Sequence, residues 1–290
     1  MSEYLIHICI IICLYLILAQ SFNLSFGLAR SFNLAHIASY AIGAYTAALL
    51  LTDYGFTTLS VMALSMLTSG LFAFLIGMIA IRLTDDYFAI GTLAFSSVVT
   101  ALLINWKSLT RGVLGIPGIP RPELWGHNFY ENYNFLGLIG TVTLIILCVI
   151  FFIHASPFAR ALRAQAEFLP GALALGVNAV FIRNISFLVA SALAGLAGCF
   201  FAVYLNYIDP SSFSLSEMVF VLTIVLLGKP ASFWGCNLAT IFLVILPEGL
   251  RFVEISPSIL GPMRQMLYAI ILFSVLYYKR ESLWPKERKV

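Results

Sequence analysis

Three ionisable side chains stand within or at the edge of apolar runs: His36, Glu217 and Glu248. Charge is costly in apolar surroundings, so such groups mark proton, ion or solute paths unless they serve local structure. His36 follows the mixed segment 21–35 and has irregular backbone there to satisfy. Glu217 follows SSFSLS and is placed to start a helix, while Glu248 stands three residues before Arg251 and is placed to pair with it. His36 and Glu217 are the two candidates for lining a translocation path. The adjacent carboxylates Asp85–Asp86 read as a cap for a helix that begins at Tyr87. There is no row of intramembrane carboxylates and no arginine ladder, which argues against proton pumping and voltage sensing.

Residue patterns for catalysis are missing. Gly228–Lys229 is followed by Pro230 with no glycine-rich turn before it, so there is no phosphate loop. Neither GxSxG nor HExxH occurs. The cysteines Cys9, Cys13, Cys148, Cys199 and Cys236 form no CxxC pair and no Cys/His group with zinc spacing, so no metal site is expected. Cys9 and Cys13 share a helix face and read as packing residues. No catalytic residue and no cofactor is assigned to this chain; work driven by ATP would need a second chain to hydrolyse it.

The elements that carry these residues follow from composition. Of 290 residues, 61% are apolar and 10% charged, with a mean hydropathy of +0.98. A soluble domain carries roughly 45–50% apolar and about 25% charged residues, so lipid must be part of the solvent here. Continuous apolar runs exclude an alternating membrane barrel. No basic block interleaved with aromatics points to nucleic acid. The N-terminal run lacks a basic n-region and a small-residue cleavage site, and reads as a retained first span.

Crossing a core of roughly 30 Å takes about 20 apolar residues. On that rule spans fall near 4–20, 36–52, 57–82, 87–105, 133–153, 184–206, 214–228, 234–251 and 263–278. The segment 21–35 is too polar for lipid and too apolar for a loop, and is expected as a re-entrant or broken helix. The fold class is an all-α polytopic transmembrane bundle of nine or ten spans in one domain, 1–290. Two connections are substructures: 106–132, whose Pro and Gly forbid helix, and 154–183, with short helices broken at Pro170. Small residues recur every four positions at Ala35, Ser39, Gly43 and Ala47, and at Ala190, Ala194, Gly198 and Ala202, which predicts close helix packing.

With the N-terminus outside, Arg30, Arg82, Arg160, Arg163, Arg183, Lys229 and the basic tail share one side, 11 of the 16 basic residues. Lys107, Arg111, Arg121, Arg251 and Arg264 occupy the other. Basic residues accumulate on the cytoplasmic side, so 154–183 and the C-terminus are expected there and 106–132 outside.

The segment ARALRAQAEFLPGALALGVN at 159–178 resembles the cytoplasmic loop of ABC importer permeases, whose short helix docks in a groove of the ATPase. A wider match is carried by AHIASYAIGAYTAALL at 35–50, LTDDYFAIGTLAF at 83–95 and LTRGVLGIPGIPRP at 109–122. It continues through SPFARALRAQAE at 156–167, ASALAGLAGCFFAVYLNYIDPSSFS at 190–214 and LVILPEGLR at 243–251. In these residues the chain is similar to the high-affinity branched-chain amino-acid permease family, in its M-type membrane subunit.

That resemblance implies a transport subunit rather than an enzyme, in the bacterial inner membrane. It implies a second related permease, two cytoplasmic ATPases that hold ATP and Mg, and a soluble binding protein on the outer face. It also implies a docking segment, expected as one short helix from Ala164 to Gly176. Arg160 and Arg163 would meet acidic groups at the rim of the partner's groove, Leu169, Leu173 and Leu175 would supply the apolar contact, and Glu167, Ala172 and Gly176 belong to the same docking segment. The family pattern has acidic residues where this chain carries Leu169, Pro170 and Leu173, which puts the details of that contact in question. Urea or a short-chain amide as cargo, and a stand-alone channel or facilitator, are the alternatives.

Overall fold

In the computed structural model, which describes residues 2–80, 85–124, 127–250 and 257–283, the apolar runs are helices. The first, α1 (Ser2–Phe22), runs on into a π-helical stretch (Asn23–Leu28). Then follow α2 (His36–Thr52), α3 (Thr58–Ala80), α4 (Asp85–Asn105), the single turn α5 (Lys107–Thr110) and α6 (Asn132–Ala155). Two short helices, α7 (Pro157–Glu167) and α8 (Leu169–Ala174), precede α9 (Ala179–Leu205), α10 (Leu215–Leu227), α11 (Phe233–Leu250) and α12 (Pro257–Leu283). Among the described residues, five stretches are long and apolar enough to cross a membrane: Glu3–Leu28, Thr58–Ile79, Tyr87–Asn105, Asn132–Ala155 and Ala179–Leu205. The chain is a polytopic helical bundle.

Its connections segregate into two ends. At one, Arg111 pairs with Asp53 at 3.1 Å, Asn132 Nδ2 donates to Glu3 at 3.1 Å and Glu123 N–H donates to Thr58 Oγ1 at 3.1 Å. There too, β1 (Ile116–Pro117) pairs antiparallel with β4 (Tyr207–Ile208), beside the small hairpin of β2 (Glu123–Leu124) and β3 (His127–Asn128). At the other, Arg183 Nε donates to Ser31 Oγ at 3.1 Å, and Ala231 N–H donates to Asn23 Oδ1 at 2.9 Å. The described connections thus fall at two ends, as a chain that repeatedly crosses a layer requires.

The core is built on α9, which packs along both α2 and α3. A Cβ on Gly43 would collide with the backbone of Gly195, and one on Gly198 with the carbonyl of Tyr40 and the nitrogen of Ala44. Ser39 and Ala194 are buried in the same contact, and Ser69 Oγ donates to the Ser39 carbonyl at 2.9 Å. Small residues let these backbones meet, and van der Waals contact between backbones holds the helices where lipid offers no hydrophobic driving force. By contrast α6 buries only Phe135, Ile139, Thr143, Ile146 and Ile150, and leaves Leu144, Ile145, Val149 and Phe152 exposed. That one-sided pattern suits a helix whose outer face meets lipid.

Segment 21–35 is a broken helix, as expected, and several of its polar groups are paired inside protein: Asn33 Oδ1 accepts from Ala35 N–H at 2.8 Å, and Ser186 Oγ donates to the Leu24 carbonyl at 3.2 Å. The structure departs from the sequence reading at other points. Helix α4 begins at Asp85, not Tyr87, so the acidic pair lies in its first turn. Helix α9 begins at Ala179, five residues earlier than the span at 184–206, because Asn178 caps it through a 3.0 Å bond from Phe181 N–H. The loop 106–132 contains the turns Lys107–Thr110 and Gly112–Leu114 in spite of its Pro and Gly. Helix α10, at about 1.5 Å per residue, is some 20 Å long and too short to cross alone. The chain before it turns back into the bundle, where Phe213 is buried against Tyr40 and Phe201. Arg82, Arg251, the tail from 284 and the side chains of Asp85 and Asp86 lie outside the described residues.

Candidate functional site

Two places gather the residues singled out above: the hairpin α7–α8 at one end of the bundle, and a cleft between α1, α10, α11 and α12.

The hairpin follows from local signals. Ser156 caps α7, its Oγ accepting from Ala159 N–H at 3.3 Å, and Pro157 takes the first turn where its missing N–H costs nothing. Ala159 and Leu162 lie three residues apart and pack on Leu24, Leu28, Ala29 and Ala190. The docking segment is two helices rather than one from Ala164 to Gly176, and the break falls at Phe168 (φ −151°, ψ 88°) rather than at Pro170. Pro170 instead opens α8, the position a helix tolerates. A Schellman turn closes α8: Val177 N–H donates to the Ala172 carbonyl at 3.0 Å and Gly176 N–H to the Leu173 carbonyl at 3.0 Å. Gly176 supplies the left-handed φ of 81° that this turn needs.

These geometries redistribute the expected roles. Ala172 is only 2% exposed and faces into the chain, so it shapes the hairpin and is not available as a contact surface. Arg160 and Arg163 bend back to the end of α6, donating to the carbonyls of Ala155 and His154 at 3.4 Å each. Cations at a helix C-terminus are favourable, so both steady the joint between α6 and α7. Glu167 is exposed. The outward surface is apolar: Phe168 (65%), Leu169 (46%), Leu173 (53%) and Leu175 (83%) stand in solvent-accessible positions. A compact helical turn presenting such side chains can seat in a hydrophobic groove of another protein. Leu169, Leu173 and Leu175, the three residues expected to supply an apolar contact, all lie on this exposed surface, whereas Ala172 does not.

A residue other than glycine at 176 costs roughly 1–2 kcal/mol in the left-handed conformation. Gly176→Ala is therefore expected to open the hairpin about tenfold more often, a factor that about 1.4 kcal/mol provides. Limited proteolysis of membrane vesicles, with cleavage mapped to 168–178, measures it; an unchanged cleavage rate would show that the turn is not held as described.

The second place is a cleft of about 360 Å³. Glu217, in the first turn of α10, accepts a hydrogen bond from Tyr15 of α1. Glu248 of α11 accepts from Tyr4 and pairs with Arg264 of α12 at 3.4 Å. The expected Glu248–Arg251 pair lies outside the described residues, and the pairing seen runs between helices instead. Pro247, inside α11, lines the cleft, and Pro262, inside α12, follows the lining residue Gly261. His36 is absent from its wall. It is 1% exposed and packs between α1 and α2, its Nε2 at 3.0 Å from Ser21 Oγ. Among the described residues no group of three His, Cys, Asp or Glu is placed to hold a metal ion.

Helix α1 joins the two places. Its C-terminal end continues into the π-helical turn on which α7 rests, and its middle carries Tyr15 to Glu217. π-turns are rare and concentrate at functional positions.

The model for the permease component of branched-chain amino acid transport systems matches residues 4–276. The high-affinity branched-chain amino acid transport system permease protein LivM of Salmonella typhimurium is 35% identical over 272 residues, 86% of this chain and 64% of the relative. The chain thus spans 64% of that relative's length. The probable branched-chain amino acid transport permease LivM of Methanocaldococcus jannaschii is 24% identical over 317 residues, 94% of this chain and 91% of the relative. The permease LivH of Salmonella typhimurium is 26% identical over 214 residues, 68% of each chain. No solved structure matches.

Proposed function

This chain belongs to the family of branched-chain amino acid transport permease components, and from that premise we propose that it is the membrane subunit of an ABC importer for branched-chain amino acids. It is a multi-pass membrane protein of transport. In the proposed assembly it pairs with a second, related permease in the bacterial inner membrane. Similarity to both LivM and LivH supports such a pair. A soluble binding protein delivers the amino acid at the outer face, and two cytoplasmic ATPases seat on the hairpins.

The observation that carries this reading is the hairpin α7–α8: an exposed apolar turn, built by defined caps, on the end of the bundle that gathers Arg160, Arg163, Arg183 and Lys229. ATP binding closes the two ATPases on each other. A hairpin seated in one of them would be displaced with it, and the π-turn beneath α7 would pass that displacement to α1. Alternating access of this kind is a two-state rearrangement biased from one end.

Transport is tested by reconstituting the chain, its co-encoded permease and ATPases in proteoliposomes with ATP inside and the binding protein outside. Uptake of labelled leucine that requires both ATP and the binding protein is the expected result. Uptake of urea or acetamide in place of leucine would overturn the cargo, and uptake without ATP would overturn the class.

Orientation has its own check. The excess of basic residues puts Leu175 in the cytoplasm and Leu114 outside, and both are strongly exposed, 83% and 82%. In a cysteine-free background, Leu114→Cys is expected to react with a membrane-impermeant thiol reagent in intact cells, and Leu175→Cys only after the membrane is opened. The reverse pattern would invert the topology.

A further inference from the structure

The cleft described above carries a set of groups that packing alone does not call for. Two carboxylates, Glu217 and Glu248, and one guanidinium, Arg264, line it together with His7, Tyr15 and Tyr268. Arg264 and Glu248 keep 33% and 20% of their side chains exposed, so their pair is open to the cleft rather than sealed. The Nε of Arg264 is buried without a hydrogen-bond acceptor among the described residues. Glu217 has Tyr15 on one oxygen and no cation beside it among the described ion pairs. A buried or half-buried charge with unused bonding capacity is costly unless a counter-charge visits it. Beside these groups lie the apolar walls Ile11, Phe220 and Val244. The volume falls in the roughly 300–1,000 Å³ range of small-molecule sites.

Resting on the reading of the chain as an importer of aliphatic amino acids, we propose that this cleft is a transit site for the zwitterion between release at the outer face and exit to the cytoplasm. Glu217 takes the ammonium group. Arg264 takes the carboxylate, exchanging part of its bond to Glu248 for it. Ile11, Phe220 and Val244 enclose the branched side chain. Glu217 sits on the helix that meets α1, so movement of α1 changes the distance between Tyr15 and Glu217 and with it the freedom of that carboxylate. No net chemistry occurs; one ion pair forms as another loosens. A purely structural staple between α11 and α12 needs Glu248 and Arg264 only, and Tyr15 ties Glu217 to α1; neither contact calls for a cleft between them.

The experiment is leucine uptake per ATP hydrolysed by the complete transporter in proteoliposomes. Glu217→Gln and Arg264→Gln are each expected to lower that ratio at least tenfold, and Glu217→Asp to restore part of the loss. Ratios within twofold of the parent transporter in both variants would overturn the transit site while leaving the importer reading in place. If a variant fails to assemble, Gln265→Cys in the cleft wall serves instead. Its complete modification by a bulky anionic thiosulfonate is expected to block uptake, with added leucine and binding protein slowing the modification; full modification without loss of uptake overturns the proposal. A parent complex that hydrolyses ATP and moves no aliphatic amino acid would overturn the importer reading, and this inference with it.

Discussion

Gly198→Leu is expected to leave little folded protein in the membrane. Overpacking costs typically 1–3 kcal/mol where side chains can yield, but the atoms a side chain would meet here are the carbonyl of Tyr40 and the nitrogen of Ala44. Backbone inside a helix cannot move aside without moving the helix, so the loss lies at or above the top of that range. Gly43→Leu meets the backbone of Gly195 and is expected to behave alike. Since α9 also carries α3 through Ser65 and Ser69 against Gly195, separation of α2 from α9 disturbs three helices together. Gly137→Leu and Gly140→Leu on α6, where nothing lies within 4 Å of a new Cβ, serve as matched controls and are expected to accumulate normally. Size-exclusion profiles of detergent-extracted fusions measure all four. Parent-level amounts of both α2–α9 variants would mean that this interface is wrongly drawn.

The second large effect concerns the hairpin. Leu173→Asp and Leu175→Asp are expected to leave the chain in the membrane and to remove the co-purifying ATPase. Both leucines are exposed, 53% and 83%, so the exchange costs the isolated chain little. Seated in a partner's groove, each contributes about 1.5–3 kcal/mol of apolar burial, which is roughly a ten- to hundredfold change in affinity per residue. An acidic group in the same groove adds its own desolvation cost. The comparison variant is Ala172→Arg, which strikes a residue buried within the chain and is expected to disorder the hairpin itself, seen as faster proteolysis. Pull-down from solubilised membranes, with the chain's own abundance as reference, reads both. Undiminished ATPase in the Leu173 and Leu175 variants would place the contact elsewhere, with the turn at Lys229–Trp234 the next surface to examine.

Most helices were legible because hydropathy and end signals agree. The run at 36–52 is α2 to the residue, and the flanking 21–35 shows its broken character in its mixture of Asn, Ser and apolar residues. Where end signals were read as loop, boundaries slipped. Asn178 after Gly176 is a helix stop followed by a helix start, and α9 accordingly begins five residues before the apolar run does. The hairpin α7–α8 was legible by position, and its outward leucines Leu169, Leu173 and Leu175 with it. That Ala172 turns inward depends on how α8 folds against the bundle, and no local pattern states it. The same holds for Arg160 and Arg163, whose spacing suggests a partner on the same side while the end of α6 lies within reach. The cleft was least legible. Glu217 stood out as a charge in an apolar run, but its neighbours Tyr15, Glu248 and Arg264 come from three other helices. The nearest cation in sequence to Glu248 is Arg251, and a local i, i+3 rule favours it over Arg264, which only tertiary packing brings near.

The seating of an ATPase on this hairpin is tested most directly by cross-linking. A single cysteine at Leu175, in membranes containing the whole assembly, is treated with a short bifunctional thiol reagent and probed for a product joining the chain to the ATPase. The account predicts that product from position 175, its loss with Leu173→Asp, and none from a cysteine at exposed Leu114 on the opposite end. An ATPase that co-purifies yet cross-links only from the Lys229–Trp234 turn, and never from 175, would contradict it.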